Sequence, residues 1–317
     1  MESLKRQTYD AARELQRAAE QFARLPQRGP DGRLYHRTLA TLHHLLACAE
    51  DAAEAGVSDA DLRAATAVAR AFHRRYSRTL AHTQSWPRGY PGDFQLIERL
   101  LDGDPGGQAG TLERAMETCV LQLPIVWQHR AKVAWQAGLV RRRLSGTGAI
   151  RLLSIGCGGA RDLMLLEPHE LGRLDVVLND LDADALALST ARLARGVRSL
   201  TCIRGNALRS ATKMRAEGPF DVILVGGLLD YLPERAACTL LGRAGEMLSS
   251  DGLLGATNIA APNPWRLMLQ LLADWPLIER SRDQMSRLLQ QPALTTSIAL
   301  DDSRLTWLAV ASRRDRL

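Results

Sequence analysis

The residues in this chain best suited to chemistry are a few acids, amides and glycines, each following a short apolar run in the second half. "IGCGGARD" (155–162) places Gly156 and Gly158 after the run "IRLLSI". Glycines there let the backbone turn tightly and approach a ligand, with the N–H groups of a following helix free to meet it. "NDLD" (179–182) closes the next run and sets Asp180, with Leu181 beside it, 22 residues beyond Gly158. An acid so placed can take both hydroxyls of a ribose. "RGNAL" (204–208) offers the Asn206 amide and the Ala207 N–H to the edge of an adenine. "VGGLLDYL" (225–232) leaves room for a ligand at Gly226 and Gly227 and turns Asp230 and Tyr231 toward the same cleft. Taken singly, the glycines are also plain turns, the acids helix N-caps and Tyr231 a core tyrosine. Asp182 in particular reads as the cap of the helix it precedes.

A dinucleotide fingerprint wants a third glycine where helix packs on strand; Arg161 stands there, which disfavours NAD or FAD. No phosphate-binding lysine accompanies the glycines either. An adenosine grip lacking both features points to S-adenosyl-L-methionine as cofactor, with S-adenosyl-L-homocysteine as its product. Methyl transfer from a sulfonium is an in-line displacement in which positive charge is lost, so an enzyme has mainly to position the acceptor and exclude water. Asp230 and Tyr231 then fall beside the expected sulfonium. None of the seven histidines stands in a triad or metal-ligand pattern, and no metal is expected.

Four such strand ends meet only if a parallel sheet with helices on both faces brings them there. From residue 150 short apolar runs do alternate with amphipathic segments. The pattern predicts strands at "IRLLSI", "LDVVLN", "LTCIR", "FDVILVG" and "LLGATNI". Helices are expected at about 161–169, 182–195, 207–217, 233–248, 264–272 and 281–291. "TTSIAL" and "RLTWLAVAS", separated by "DDS", read as an antiparallel hairpin closing the sheet. This is α/β, a doubly wound Rossmann-like sheet in its methyltransferase rather than its dehydrogenase version. The first 145 residues carry almost no strand pattern. They predict helices over about 2–24, 33–55, 58–82 and 111–145, the last kinked at Pro124, with another beginning at "FQLIERLL". Ser58 followed by Asp61 resembles a weakened capping box, and "SWPRGYPGD" and "DGDPGGQAG" are too rich in Pro and Gly for helix. The expected domains are an N-terminal helical extension over 1–145 and the α/β domain over 146–317.

At 317 residues and 46% hydrophobic, the chain can bury a full core. No apolar run approaches the roughly 18 residues of a membrane span, and the opening residues lack the apolar block of a signal peptide. A cytoplasmic location is therefore expected. Five scattered cysteines predict free, buried thiols rather than a zinc site or disulfides. The formal charge is +6, yet lysine occurs only at Lys5, Lys132 and Lys213 among 41 basic residues. The arginine clusters "HRRYSR" and "RRR" lie within helical patterns, where a solvated face is favoured over a phosphate-binding stripe, so nucleic acid is not the expected partner. A homodimer stays open.

The chain also resembles the bacterial class I methyltransferase family of 3-hydroxypalmitic acid methyl ester biosynthesis proteins. The matching pieces are "RGYPGDF" (88–94), "LLSIGCGGARD", "NDLDADAL", "FDVILVGGLLDYLPER" and "GATNIAAPNPWRLMLQLLADWPLIERS", spanning roughly 88–285. Pro91, Leu229 and Glu279 depart from the family pattern, the last two where an acceptor pocket would be built. The resemblance implies that Tyr90 and Asp93 come from the helical extension to cover the cofactor. The aspartate would hold an ammonium and the tyrosine would orient cofactor or acceptor. Asp93 reads equally as the cap of "FQLIERLL". Trp265, Met268, Leu269 and Trp275 are candidates for an acceptor pocket or for core.

The expected acceptor is a small molecule, in natural-product or signal biosynthesis. A carboxylate acceptor needs a cation such as Arg280 or Arg88 to orient it. An amine or guanidine acceptor needs acids, for which Asp93, Glu98, Asp230 and Glu279 are candidates. The alternatives are a nucleic-acid methyltransferase, for which "GLLDYL" lacks the expected acceptor motif, and a non-catalytic protein that keeps the fold without turnover.

Overall fold

The computed structural model describes residues 2–290 and 294–313. The chain forms two compact units: Met1–Val126 with Pro264–Pro276, and Trp127–Asn263 with Leu277–Leu317.

The first unit is helical: α1 (Glu2–Phe22), α2 (Asp31–Glu54), α3 (Asp59–Tyr76), α4 (Arg78–Ser85), α5 (Phe94–Asp102), α6 (Leu112–Leu121) and the first residues of α7 (Pro124–Leu144). Leu34, Thr38, Leu42, Leu45, Ala49 and Ala52 recur every three or four residues and form the buried stripe of α2. Each leucine buried in this way contributes roughly 1.5–3 kcal/mol. Phe22 of α1 closes the core, packing edge-on against Phe72 at 5.8 Å.

The helix expected over 58–82 is instead two, divided at Ser77. The cause is Glu117 of α6, a buried acid that accepts hydrogen bonds from Ser77 Oγ (2.6 Å), Thr79 N (3.2 Å) and the Thr79 hydroxyl. It satisfies groups exposed by the break, while Ser77 Oγ caps α4 by accepting from Leu80 N. Likewise the helix expected over 111–145 is divided after α6, and Pro124 stands at the start of α7, where its missing N–H costs nothing.

The second unit contains the rest of α7 and a seven-stranded sheet. Its further elements are β1 (Ile150–Ile155), α8 (Pro168–Leu171), β2 (Leu174–Asp180), α9 (Ala183–Leu193), β3 (Ser199–Arg204), α10 (Ala211–Ala216) and β4 (Phe220–Val225). They continue with α11 (Glu234–Glu246), β5 (Leu248–Ile259), α12 (Arg282–Leu289), β6 (Leu294–Leu300) and β7 (Thr306–Arg313). The strand order is β3-β2-β1-β4-β5-β7-β6, parallel through β5, with β7 antiparallel to both its neighbours. Chain direction across the sheet reverses between β1 and β4, so their carboxyl ends flank the crevice in which such sheets bind ligands.

Strand residues alternate between two helical layers. Leu152, Val176, Leu178, Val222 and Leu224 pack with α7 and α9, whereas Leu153, Ile155, Val177, Ile223 and Val225 pack with α11 and α12. The helix expected over 161–169 is reduced to a 3-10 turn at Leu163–Leu165 and the short α8, because Ala160 takes φ +50° and Pro168 starts a new helix.

The boundary differs from that expected at 145/146. All of α7 beyond Val126 joins the sheet unit, since Ala137, Leu139, Val140 and Leu144 belong to the sheet's core. Conversely, 264–276 leaves the sheet unit. Where a helix over 264–272 is expected, a π turn occupies Met268–Leu272 and belongs to the helical unit: Gln84 Nε2 donates to Leu272 O (2.7 Å) and Trp86 Nε1 to Asp274 O (2.9 Å).

Candidate active site

The glycine turn after β1 is held by β2 and α9. Gly156 (φ +65°) and Gly158 (φ +52°) adopt the left-handed backbone that glycine supplies. Asp180, at the end of β2, accepts from Gly158 N through Oδ2 (2.8 Å) and from Asp182 N through Oδ1 (2.9 Å). Ser189 Oγ donates to Gly158 O and Arg192 to Gly159 O, both at 2.6 Å. A carboxylate has about four lone-pair sites, so Asp180 keeps acceptor capacity for hydroxyls after taking two backbone donors. Burial pushes its carboxyl above the ordinary value. Leu181 beside it is an exposed apolar side chain, 59% accessible, and Asp182 caps α9 as expected.

At the end of β3, Asn206 is exposed and its Oδ1 accepts from Leu208 N (3.0 Å) and Arg209 N (3.3 Å). The amide oxygen thus closes its own turn, leaving the side-chain NH₂ and the Ala207 N–H as the groups suited to an adenine edge.

The turn after β4 is arranged differently from expectation. Gly226 and Gly227 make room for protein groups: a β-carbon at Gly226 would lie 2.3 Å from Gln136 Oε1, and one at Gly227 3.6 Å from Lys132 Nζ. Both side chains come from α7, four residues apart on one face. Gln136 is oriented by Asp162, whose Oδ2 accepts from its Nε2 (2.9 Å); burial pushes the Asp162 carboxyl up to about 6. Asp230 is buried rather than displayed in the cleft. Its Oδ1 accepts from Ile259 N (2.7 Å), its backbone carbonyl accepts from Ile278 N (2.8 Å), and its Oδ2 faces Lys132 Nζ at 3.8 Å. Burial raises the Asp230 carboxyl, an effect opposed by Lys132. Tyr231 is half-buried in the same turn.

Arg280 is not a cation available to an acceptor. It is buried and donates to Leu229 O (2.7 Å), Leu232 O and Asn258 Oδ1, tying β5 to the turn after β4.

Tyr90 and Asp93 belong to the helical unit. Asp93 is buried and accepts from Leu96 N (2.9 Å) as the N-cap of α5, while both its oxygens lie 2.9 Å from His82 Nε2. Its cap reading is realised, with a histidine partner that no sequence pattern indicated. Tyr90 is half-buried in the preceding turn, where Gly89 and Gly92 take positive φ. Met268, Leu269 and Trp275 are buried in the helical unit, and Trp265 is half-buried against His43 at 6.0 Å. The five cysteines are free thiols; Cys202 is exposed rather than buried.

Residues 153–254, from β1 into β5, match the protein family described as a methyltransferase domain. A possible exported protein from Bordetella parapertussis aligns over 98% of this chain and 96% of its own, with 18% identity and a TM-score of 0.59. Magnesium protoporphyrin IX methyltransferase from Synechocystis PCC 6803, with bound SAH, aligns over 69% of this chain and 94% of its own, with 12% identity and a TM-score of 0.50. At these identities the likeness is one of fold. No curated protein matches the sequence.

The residues of this domain fit S-adenosyl-L-methionine. Asp180 could accept from the hydroxyls of a ribose, and the β3 turn could meet an adenine. The positive-φ glycine loop lets the backbone come close, and Arg161 stands where a dinucleotide site would pack a glycine.

Lys132, Gln136 and Asp162 escaped the sequence reading. Asp162 lay within a motif already singled out. The signal for the other two was a lysine and a glutamine four apart on a helix whose neighbours Ala137, Leu139 and Val140 are core.

Proposed function

We propose that the protein is an S-adenosyl-L-methionine-dependent methyltransferase acting on a small-molecule acceptor in a biosynthetic pathway. The observation that carries this is the coupling of Asp180 to Gly158: one carboxylate shapes the glycine turn and keeps lone pairs for the ribose. Bound there, S-adenosyl-L-methionine supplies an electrophilic methyl group. Asp180 orients the adenosine, Gly156 and Gly158 permit close approach, Asn206 and Ala207 meet the base, and Gln136 over Gly226 borders the reacting end. Tyr231 and the Asp230–Lys132 pair lie at the acceptor side. A small acceptor is supported by the state of the "RRR" cluster, in which Arg141 pairs with Glu170 (3.1 Å) and Arg143 lies 3.7 Å from Asp221, so intramolecular acids compete with phosphates.

Calorimetry with S-adenosyl-L-homocysteine tests the cofactor: saturable one-to-one binding is expected, and its absence would remove the reading. Incubation with isotope-labelled cofactor and a panel of amino acids, hydroxy fatty acids and tRNA, read by mass, tests the acceptor. Label transferred to tRNA alone would replace the small-molecule reading.

A further inference from the structure

Lys132 is a lysine where arginine would be the ordinary choice. Only three of the chain's 41 basic residues are lysines, and this one is 6% exposed. It makes no hydrogen bond among the described residues: its nearest acid oxygen, Asp230 Oδ2, is 3.8 Å away, beyond hydrogen-bond reach. Gly227 keeps the space beneath Nζ clear. The position matters as much as the burial. Asp180 and Gly158 mark the β1–β2 half of the crevice for adenosine, whereas Lys132 stands over the turn after β4, whose Asp230 is anchored to Ile259 at the end of β5. That is the half left for the acceptor.

We propose that Lys132 is the proton acceptor of the reaction, and therefore that the molecule methylated is a hydroxyl or an amine that must lose a proton, not a carboxylate that is already ionised. This rests on the methyltransferase reading above. An arginine would serve an ion pair equally well but cannot give up its proton at ordinary pH; a lysine can. The acceptor heteroatom forms its bond to the methyl carbon, and the carbon–sulfur bond breaks with its electron pair kept by sulfur. The acceptor's proton passes to the neutral Lys132 amine, and the ammonium so formed lies beside the Asp230 carboxylate. The titratable groups that act on Nζ are Asp230 after β4, Asp301 in the β6–β7 hairpin and His129 on α7 itself, with Arg280 acting on Asp230 and Arg130 on His129. Burial lowers the Lys132 ammonium while Asp230 and Asp301 oppose it.

The test uses the full chain with ¹⁵N at the lysine side-chain nitrogens. Three lysines give three signals, and Lys132→Met assigns the one of interest. In the S-adenosyl-L-homocysteine complex, Lys132 is expected to lose its proton at lower pH than Lys5 and Lys213. A Lys132 that titrates with them or above them overturns the proposal. In single turnover with the acceptor identified by mass, Lys132→Met and Lys132→Arg should each slow methyl transfer at least about a hundredfold, with S-adenosyl-L-homocysteine affinity within threefold of wild type. A Lys132→Arg enzyme of near-normal rate, or a methyl ester as product, also overturns it. Failure to bind S-adenosyl-L-homocysteine would instead remove the methyltransferase reading, and the titration of the free protein would still report on Lys132.

Discussion

The two units bury acids to different ends. In the helical unit Asp93 and Glu117 are engaged by backbone N–H groups, hydroxyls and a histidine that helix breaks leave exposed. They are the means by which short helices start where the chain must turn. In the sheet unit Asp180, Asp162 and Asp230 also accept backbone N–H groups, but each does so at or after the end of a strand and keeps an oxygen for a second group: a glycine loop, the Gln136 amide or the Lys132 side chain. The same carboxylate chemistry therefore stabilises turns in one unit and orients a crevice in the other. What separates the two is the register of the parallel sheet, which sets three strand ends side by side.

The largest expected effect tests the helical side. Glu117→Ala leaves the Thr79 N–H and two hydroxyls buried without their acceptor, and should cost about 4 kcal/mol. Hydrogen exchange should show early opening at the α3–α4 junction; protection unchanged there would mean that packing alone sets the break. On the sheet side, Asp180→Ala should weaken S-adenosyl-L-homocysteine binding at least about a hundredfold, or about 3 kcal/mol, by calorimetry. An affinity within threefold of wild type would make Asp180 a turn residue like Asp93.

A pH change separates His73 of the helical unit from Asp162 of the sheet unit by sign. His73 sits in the helical core, where burial holds it down to about 3, so the folded state stays neutral while the unfolded chain takes up a proton below about 6.5. Its contribution is present above that value and falls by about 2 kcal/mol between pH 7 and 5. Asp162 runs the other way. Held up to about 6, it binds its proton more readily folded than unfolded, so its contribution is present at low pH and lost as pH rises through 6, about 1 kcal/mol between pH 5 and 7. His129, buried on α7 and also held low, opposes it in the sheet unit. The Asp162 share is accordingly read as the difference between wild type and Asp162→Asn in denaturant unfolding at the two pH values. No difference would mean that Asp162 ionises normally.

The smallest effect is at Asp93. Asp93→Ala removes a cap and should cost about 1 kcal/mol of stability. An S-adenosyl-L-homocysteine affinity that fell tenfold in the same variant would give Asp93 a ligand-side role as well.

The strands were readable because each is a continuous apolar run bounded by Gly, Asn or Asp, and the glycine loop, Asp180, Asn206 and the β6–β7 hairpin followed from their spacing. Helix breaks were harder to read. Nothing near Ser77 announces that Glu117, forty positions away, will take its hydroxyl. The 264–276 segment misled for a similar reason: Met268, Leu269 and Trp275 look the same whether they line a pocket or fill the helical core.

Local pattern was enough to specify the alternation of strand and helix, the turn that glycine must make and the polar residues Asp180 and Asn206 that close β2 and follow β3, since these depend on neighbours within a few residues. Folding alone decided which partner each polar group met. Gln136 and Lys132 lie on the helix that precedes the sheet in the chain, yet they reach Gly226 and Gly227, roughly ninety residues away, because α7 packs against strands that the chain has yet to form. A buried charge answers to whatever lies within a few ångströms of it, and that list is written by tertiary contacts rather than by sequence neighbours.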